Sequence, residues 1–121
     1  LTSQPARWLG DCTNGAAEGL GVMRAGSAEP YQFFFGEMHA GAPVRGMLKE
    51  EVDGWEMAAH FDAARGIVSP RSWDPKDSHA MYLLAARAAR TTAQRFASSG
   101  NRGSAAYYEK MAQDIISGEP E

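Results

Sequence analysis

The chain has 121 residues, 44% of them hydrophobic and 22% charged, a composition that suits a folded globule and excludes wholesale disorder. Twelve Lys and Arg against fifteen Asp and Glu leave a net charge of −3, which argues against the broad electrostatic attraction that nucleic acid demands. The longest apolar stretches, Tyr31 to Phe35 and Ala80 to Ala86, fall far short of the roughly 20 residues that cross a bilayer, so no transmembrane segment is expected and residues 1–121 read as one domain.

The chain starts at Leu1 in the polar stretch Thr2, Ser3, Gln4, Pro5. That suits a mature end left by signal-peptide removal and favours a periplasmic or secreted location over a cytoplasmic one. Glycine then recurs every few residues as far as Gly66, the pattern of short strands joined by tight turns. Trp8, Gly10 and Cys12 share strand parity, Asn14-Gly15 is a favoured two-residue hairpin turn, and Gly10 lets a ring lie against the backbone. A second copy of this pattern starts 26 residues later with Phe34, Gly36, Met38 and Gly41, but its next glycine, Gly46, is out of step. Met57, Ala59, Phe61 and Ala64 form a third, degraded copy. Residues 6–69 therefore predict a curved antiparallel sheet of five or six strands.

Beyond residue 70 alanine-rich helical spacing takes over. Asp74 caps and Pro75 opens a helix that runs to about Ser98, gathering Met81, Tyr82, Ala85, Ala89, Thr92, Ala93 and Phe96 on one side. Ser99 to Gly103 breaks the chain, and a second helix follows from Ser104 to Ile116, with Tyr107, Tyr108, Met111, Ala112 and Ile115 together and Gly118 and Pro120 at its end. The fold class predicted is α+β: an antiparallel β-hairpin sheet followed by two C-terminal α-helices, a hairpin over residues 74–117, packed on it.

The run Trp8-x-Gly10-x-Cys12-x-Asn14-Gly15-x3-Gly19-x-Gly21 resembles a MORN repeat, whose pattern is an aromatic-x-Gly opening, an Asn-Gly turn and a closing Gly-x-Gly. Phe34 to Gly41 matches the first half of the pattern, and the third copy lacks its glycines. The resemblance covers residues 8 to about 69 and implies a single-layered row of antiparallel hairpins whose apolar face must be covered. It also implies lipid head groups as a ligand, although the arginines that would serve them lie outside the repeats.

Chemistry is sparse. His39, His60 and His79 have no metal-ligand spacing, so no metal or cofactor is expected. Cys12 takes the repeat's apolar position, where a thiol packs; the rival reading pairs it with His39 or His60 as a small thiol hydrolase. Arg87, Arg90 and Arg95 lie in a stretch without acids from Ser78 to Gly103, a solvated stripe whose alternative use is a phospholipid surface. Glu50, Glu51 and Asp53 form a turn leading into Trp55, an acidic edge able to steer a basic protein. Tyr31 and Phe33 to Phe35 put aromatics on both faces of a strand, and whichever emerges is a contact patch. The partner-binding set expected is therefore Tyr31, Phe33, Phe35, Trp55, Glu50, Glu51 and Asp53. The function expected is non-catalytic binding of another protein, in the manner of a bacterial inhibitor or immunity protein, with homodimer pairing through an edge strand left open.

Overall fold

The computed structural model describes the backbone of residues 6–26, 31–50, 55–62, 66–68 and 75–118, and side chains within 6–26, 31–49 and 79–118. Strands β1 (Ala6–Trp8), β2 (Cys12–Thr13), β3 (Ala16–Ala17), β4 (Gly19–Ala25), β5 (Gln32–His39), β6 (Ala42–Glu50), β7 (Trp55–Asp62) and β8 (Gly66–Val68) precede helices α1 (Pro75–Ser98) and α2 (Arg102–Ser117). Six strands form one antiparallel sheet in the order β1-β4-β5-β6-β7-β8, and β2 with β3 forms a separate ribbon. The α+β class and its sheet-then-helices order are as the sequence predicts.

Each hairpin copy turns on two residues with positive φ, Asn14 and Gly15 at 54° and 81° and Ala40 and Gly41 at 51° and 83°. Such mirror-image turns match the right-handed twist of the strands they join. Asn14 and both glycines adopt that geometry readily, whereas Ala40 does so at a steric cost of about 1 kcal/mol.

The out-of-step glycine of copy two has a simple cause in the pairing. Between Trp8↔Met23 and Cys12↔Ala17 the return strand carries two extra residues, but between Glu37↔Arg45 and Met38↔Pro43 it carries only one, Val44. The bulge is one residue shorter, so the return glycine moves by one and stays in register. Gly21, Gly36 and Gly46 are consecutive cross-strand partners, and Ala59 of the third copy pairs with Gly46. Over this row lie the two opening aromatics. A Cβ on Gly21 would sit 2.8 Å from the Trp8 ring, and one on Gly36 or Gly46 would sit 2.7 Å from the Phe34 ring.

On the other face Val22, Phe35 and Met47 are cross-strand neighbours and join Phe33 in a core with Ala85, Ala86, Ala88, Ala89 and Ala93 of α1 and Tyr108, Met111, Ala112 and Ile115 of α2. Large side chains of the sheet meet small ones of α1, which lets the helix approach closely. α1 lies across β4, β5 and β6, and α2 packs along α1, held at the outer seam by Arg90 Nε to Glu109 Oε1 at 3.2 Å. α2 starts at Arg102, two residues earlier than predicted, because the Asn101 side chain accepts from the Ser104 N–H at 3.0 Å and caps it. Tyr107, predicted to lie on the apolar face, is exposed and stands edge-on to Tyr108 at 5.0 Å. Among the described residues no helix is long and apolar enough to cross a membrane.

Candidate functional site

β1 is an edge of the sheet, and its pairing decides which backbone groups are free. The Leu9 N–H donates to the Val22 carbonyl at 2.8 Å, one step beyond the Trp8↔Met23 pair. Antiparallel partners alternate between bonded and non-bonded, so Arg7 and Leu9 face β4 while the N–H and C=O groups of Ala6 and Trp8 face outward. Ala6 and Arg7 are exposed. Beside this edge the C-terminal half of α1 stands off and leaves a groove of about 600 Å³, walled by Arg7, Trp8 and Leu9 on one side and Thr91, Arg95 and Phe96 on the other.

The groove's walls are fixed from behind. Trp8 is pinned over Gly10 and Gly21, and its Nε1 donates to the Asp11 carbonyl at 2.7 Å. That carbonyl also accepts the Glu18 N–H at 3.0 Å, and the Asp11 carboxylate pairs with Arg95 of α1. Leu9 and Phe96 pack against the core, Phe96 stacking on Tyr108 at 5.6 Å. At the end of α1 the carbonyls of Arg95, Phe96 and Ala97 are taken by the N–H groups of Ser99, Gly100 and Asn101. The negative end of that helix is therefore capped toward the groove.

The electrostatics of the groove are unbalanced. Arg7 is the direct cross-strand partner of Arg24, and like charges in that position repel. Neither has an acidic partner among the described residues. Arg24 lies 4.6 Å over the Tyr31 ring, approaches the Tyr108 phenol, and keeps a buried Nε without a hydrogen bond. Burial pushes the Tyr108 phenol above its usual pKa, against the smaller opposing pull of Arg24 and Arg7. The folded state thus holds this proton more tightly than the unfolded chain does. That contribution to stability is complete below about pH 10, the ordinary tyrosine value, and is lost as pH rises from there through the raised folded value. Urea midpoints compared between pH 9 and pH 11 should accordingly fall less for Tyr108→Phe than for the wild type, and an equal fall would remove Tyr108 from the cause.

The aromatic contact patch is corrected. Phe33 and Phe35 are each about 1% exposed, because β5 turns that face under the helices, and neither ring can touch a partner. Phe34, on the opposite face, is fully covered as well. Tyr31 is half-buried, edge-on to Phe33 at 6.0 Å and beneath Arg24. Glu50 and Trp55 face each other at the ends of β6 and β7, but their side chains, with Glu51 and Asp53, lie outside the described residues, as does Ala64.

Cys12 is exposed rather than packed: β2 belongs to the small ribbon, away from the helix-covered face. His39 Nδ1 instead meets Glu18 Oε2 at 3.1 Å, tying the two hairpin tips together along with the Gly41 N–H to Ala17 carbonyl bond at 3.0 Å. That hydrogen bond to His39 holds the Glu18 carboxyl below its usual range. The arginine stripe is divided as well: Arg87 is exposed, Arg90 meets Glu109 and Arg95 meets Asp11.

Compared with family models, with curated proteins and with solved structures, the chain matches none. The residues that sequence reasoning missed are Ala6, Arg7, Leu9 and Arg24; Arg95 was read only as part of a solvated stripe with an alternative use at a phospholipid surface, and not as a wall of this groove.

Proposed function

We propose that the chain is a non-catalytic protein-binding module, built on MORN-like hairpins, that takes an extended segment of its partner along the edge strand β1. The observation that carries this reading is the edge position of β1: among the described residues no strand pairs with its outer side, where the groups of Ala6 and Trp8 point, and its Arg7, Trp8 and Leu9 wall a groove that α1 leaves open. An unpaired strand edge is a template for one more strand, whose main-chain bonds supply affinity and whose alternate side chains supply specificity. The resemblance to MORN hairpins is supported by what the two copies share, an aromatic ring laid over two glycines and a two-residue turn of positive φ.

The test uses random-sequence octapeptides displayed on phage and selected against the whole chain. Selected peptides are expected to slow hydrogen exchange at the Trp8 amide and to lose about tenfold or more in affinity for Ala6→Pro, which removes the outward donor and seats a ring on the edge. The β1–β4 ladder uses Arg7 and Leu9, so the variant should keep the wild-type melting curve. Failure to select any peptide, or equal binding by Ala6→Pro, would sink the reading.

A further inference from the structure

We infer that the segment this groove takes is acidic, with a carboxylate beside Arg7 and an apolar side chain two residues away beside Leu9; the inference rests on the edge-docking reading. Arg7 and Leu9 project to the same face of the sheet, so alternate residues of an added strand reach them in turn. At the Leu9 position the groove is apolar, floored by Leu9 and Phe96 where they pack on the core. At the Arg7 position it is cationic, and its charge is unsatisfied. Arg7 faces Arg24 across the ladder with no acid beside either among the described residues, while the third cation of the region, Arg95, is already neutralised by Asp11.

A carboxylate placed beside Arg7 would relieve the repulsion between the two arginines and form a charge-assisted pair at the groove's rim. In a chain of net charge −3 this local excess of positive charge selects its partner by complementarity. A second copy of the chain is disfavoured at this edge, because its β1 would bring another Arg7 to the same place.

The same octapeptide selection tests the chemistry. Enriched peptides are expected to share an Asp or Glu two positions from an apolar residue. As synthetic peptides they should bind Arg7→Glu about 30-fold or more weakly, while Arg87→Glu, an equal charge change on the exposed face of α1, should stay within about twofold. Arg7→Glu replaces a like-charge pair with an opposite one facing Arg24, so its melting temperature should equal or exceed that of the wild type; Arg7→Gln gives a second, neutral readout with about a tenfold loss.

Peptides that are not acidic, or that bind Arg7→Glu as well as wild type yet fail on Ala6→Pro, would overturn this inference and leave edge docking standing. Peptides indifferent to both variants would overturn both. Free glutamate or inorganic phosphate that competes at concentrations comparable to the peptide would assign the site to a small anion and would equally overturn the extended-segment form of the inference.

Discussion

Gly36→Ala is expected to cost about 3 kcal/mol or more of folding stability, the upper end of what overpacking one methyl does. The new Cβ would fall onto the Arg45 carbonyl oxygen, 2.7 Å from Phe34 Cζ and 2.8 Å from Gly46 Cα. Two of these three obstacles are backbone, which cannot rotate aside. The third is a ring with no room, since Phe34 is fully buried over Gly36 and Gly46. Gly15→Ala is the comparison. At Gly15 an added methyl meets nothing within 4 Å and the only penalty is a φ of +81°, worth about 1 kcal/mol. Urea denaturation of the two variants beside the wild type should therefore separate them by about 2 kcal/mol or more. If Gly36→Ala proved no worse than Gly15→Ala, the close approach of β5 and β6 that seats the Phe34 ring would not exist.

The same comparison shows what the amino-acid sequence can and cannot reveal here. A ring followed by glycine at the second position, then Asn-Gly or its counterpart, declares a hairpin because each residue answers a local steric demand. The turn at Asn14-Gly15 and the ring-bearing role of Gly10 were legible for that reason, as were the two helices with Pro75 and Gly100 at their ends, whereas the turn at Ala40-Gly41 and the row that joins Gly21, Gly36 and Gly46 were not. Register was not. Extending the Cys12↔Ala17 pair without interruption would set Arg7 opposite Val22, an unremarkable neighbour. The two-residue slip in the return strand instead sets Arg7 opposite Arg24, and the charge imbalance of the groove follows from that slip. Nothing in the spacing of side chains announces a bulge, because its extra residues cost only local hydrogen bonds. The groove also needs α1 beside β1, two elements about 80 residues apart in the chain, and no periodicity carries that information.

Facing was the other illegible feature. Alternation tells that Phe33 and Phe35 share one side of β5 and Phe34 the other, but not which side the helices take. It also could not tell that on the other side the Phe34 ring would lie over Gly36 and Gly46 and be fully buried. The expectation of an emergent aromatic patch failed because both sides of this strand found a cover.

Phe35→Ala turns that correction into an energy, with an expected loss of about 3 to 5 kcal/mol, as for other buried phenylalanines truncated to alanine. Phe35 stacks on Phe33 with ring centroids 5.6 Å apart and sits between Val22 and Met47 in the cross-strand row. The spread in such losses depends on how far a site collapses around the cavity. Collapse is limited here, since the helix residues of this core are mostly alanines with no side-chain length to lend. The value should therefore fall in the upper part of the range, and a loss of that size consumes much of the stability of a small domain. Peptide affinity measured below the variant's melting transition should remain near wild type, because Phe35 forms no wall of the β1 groove. The opposite pairing of results, unchanged stability with binding lost, would return Phe35 to the surface and reinstate the aromatic contact patch at the expense of the groove.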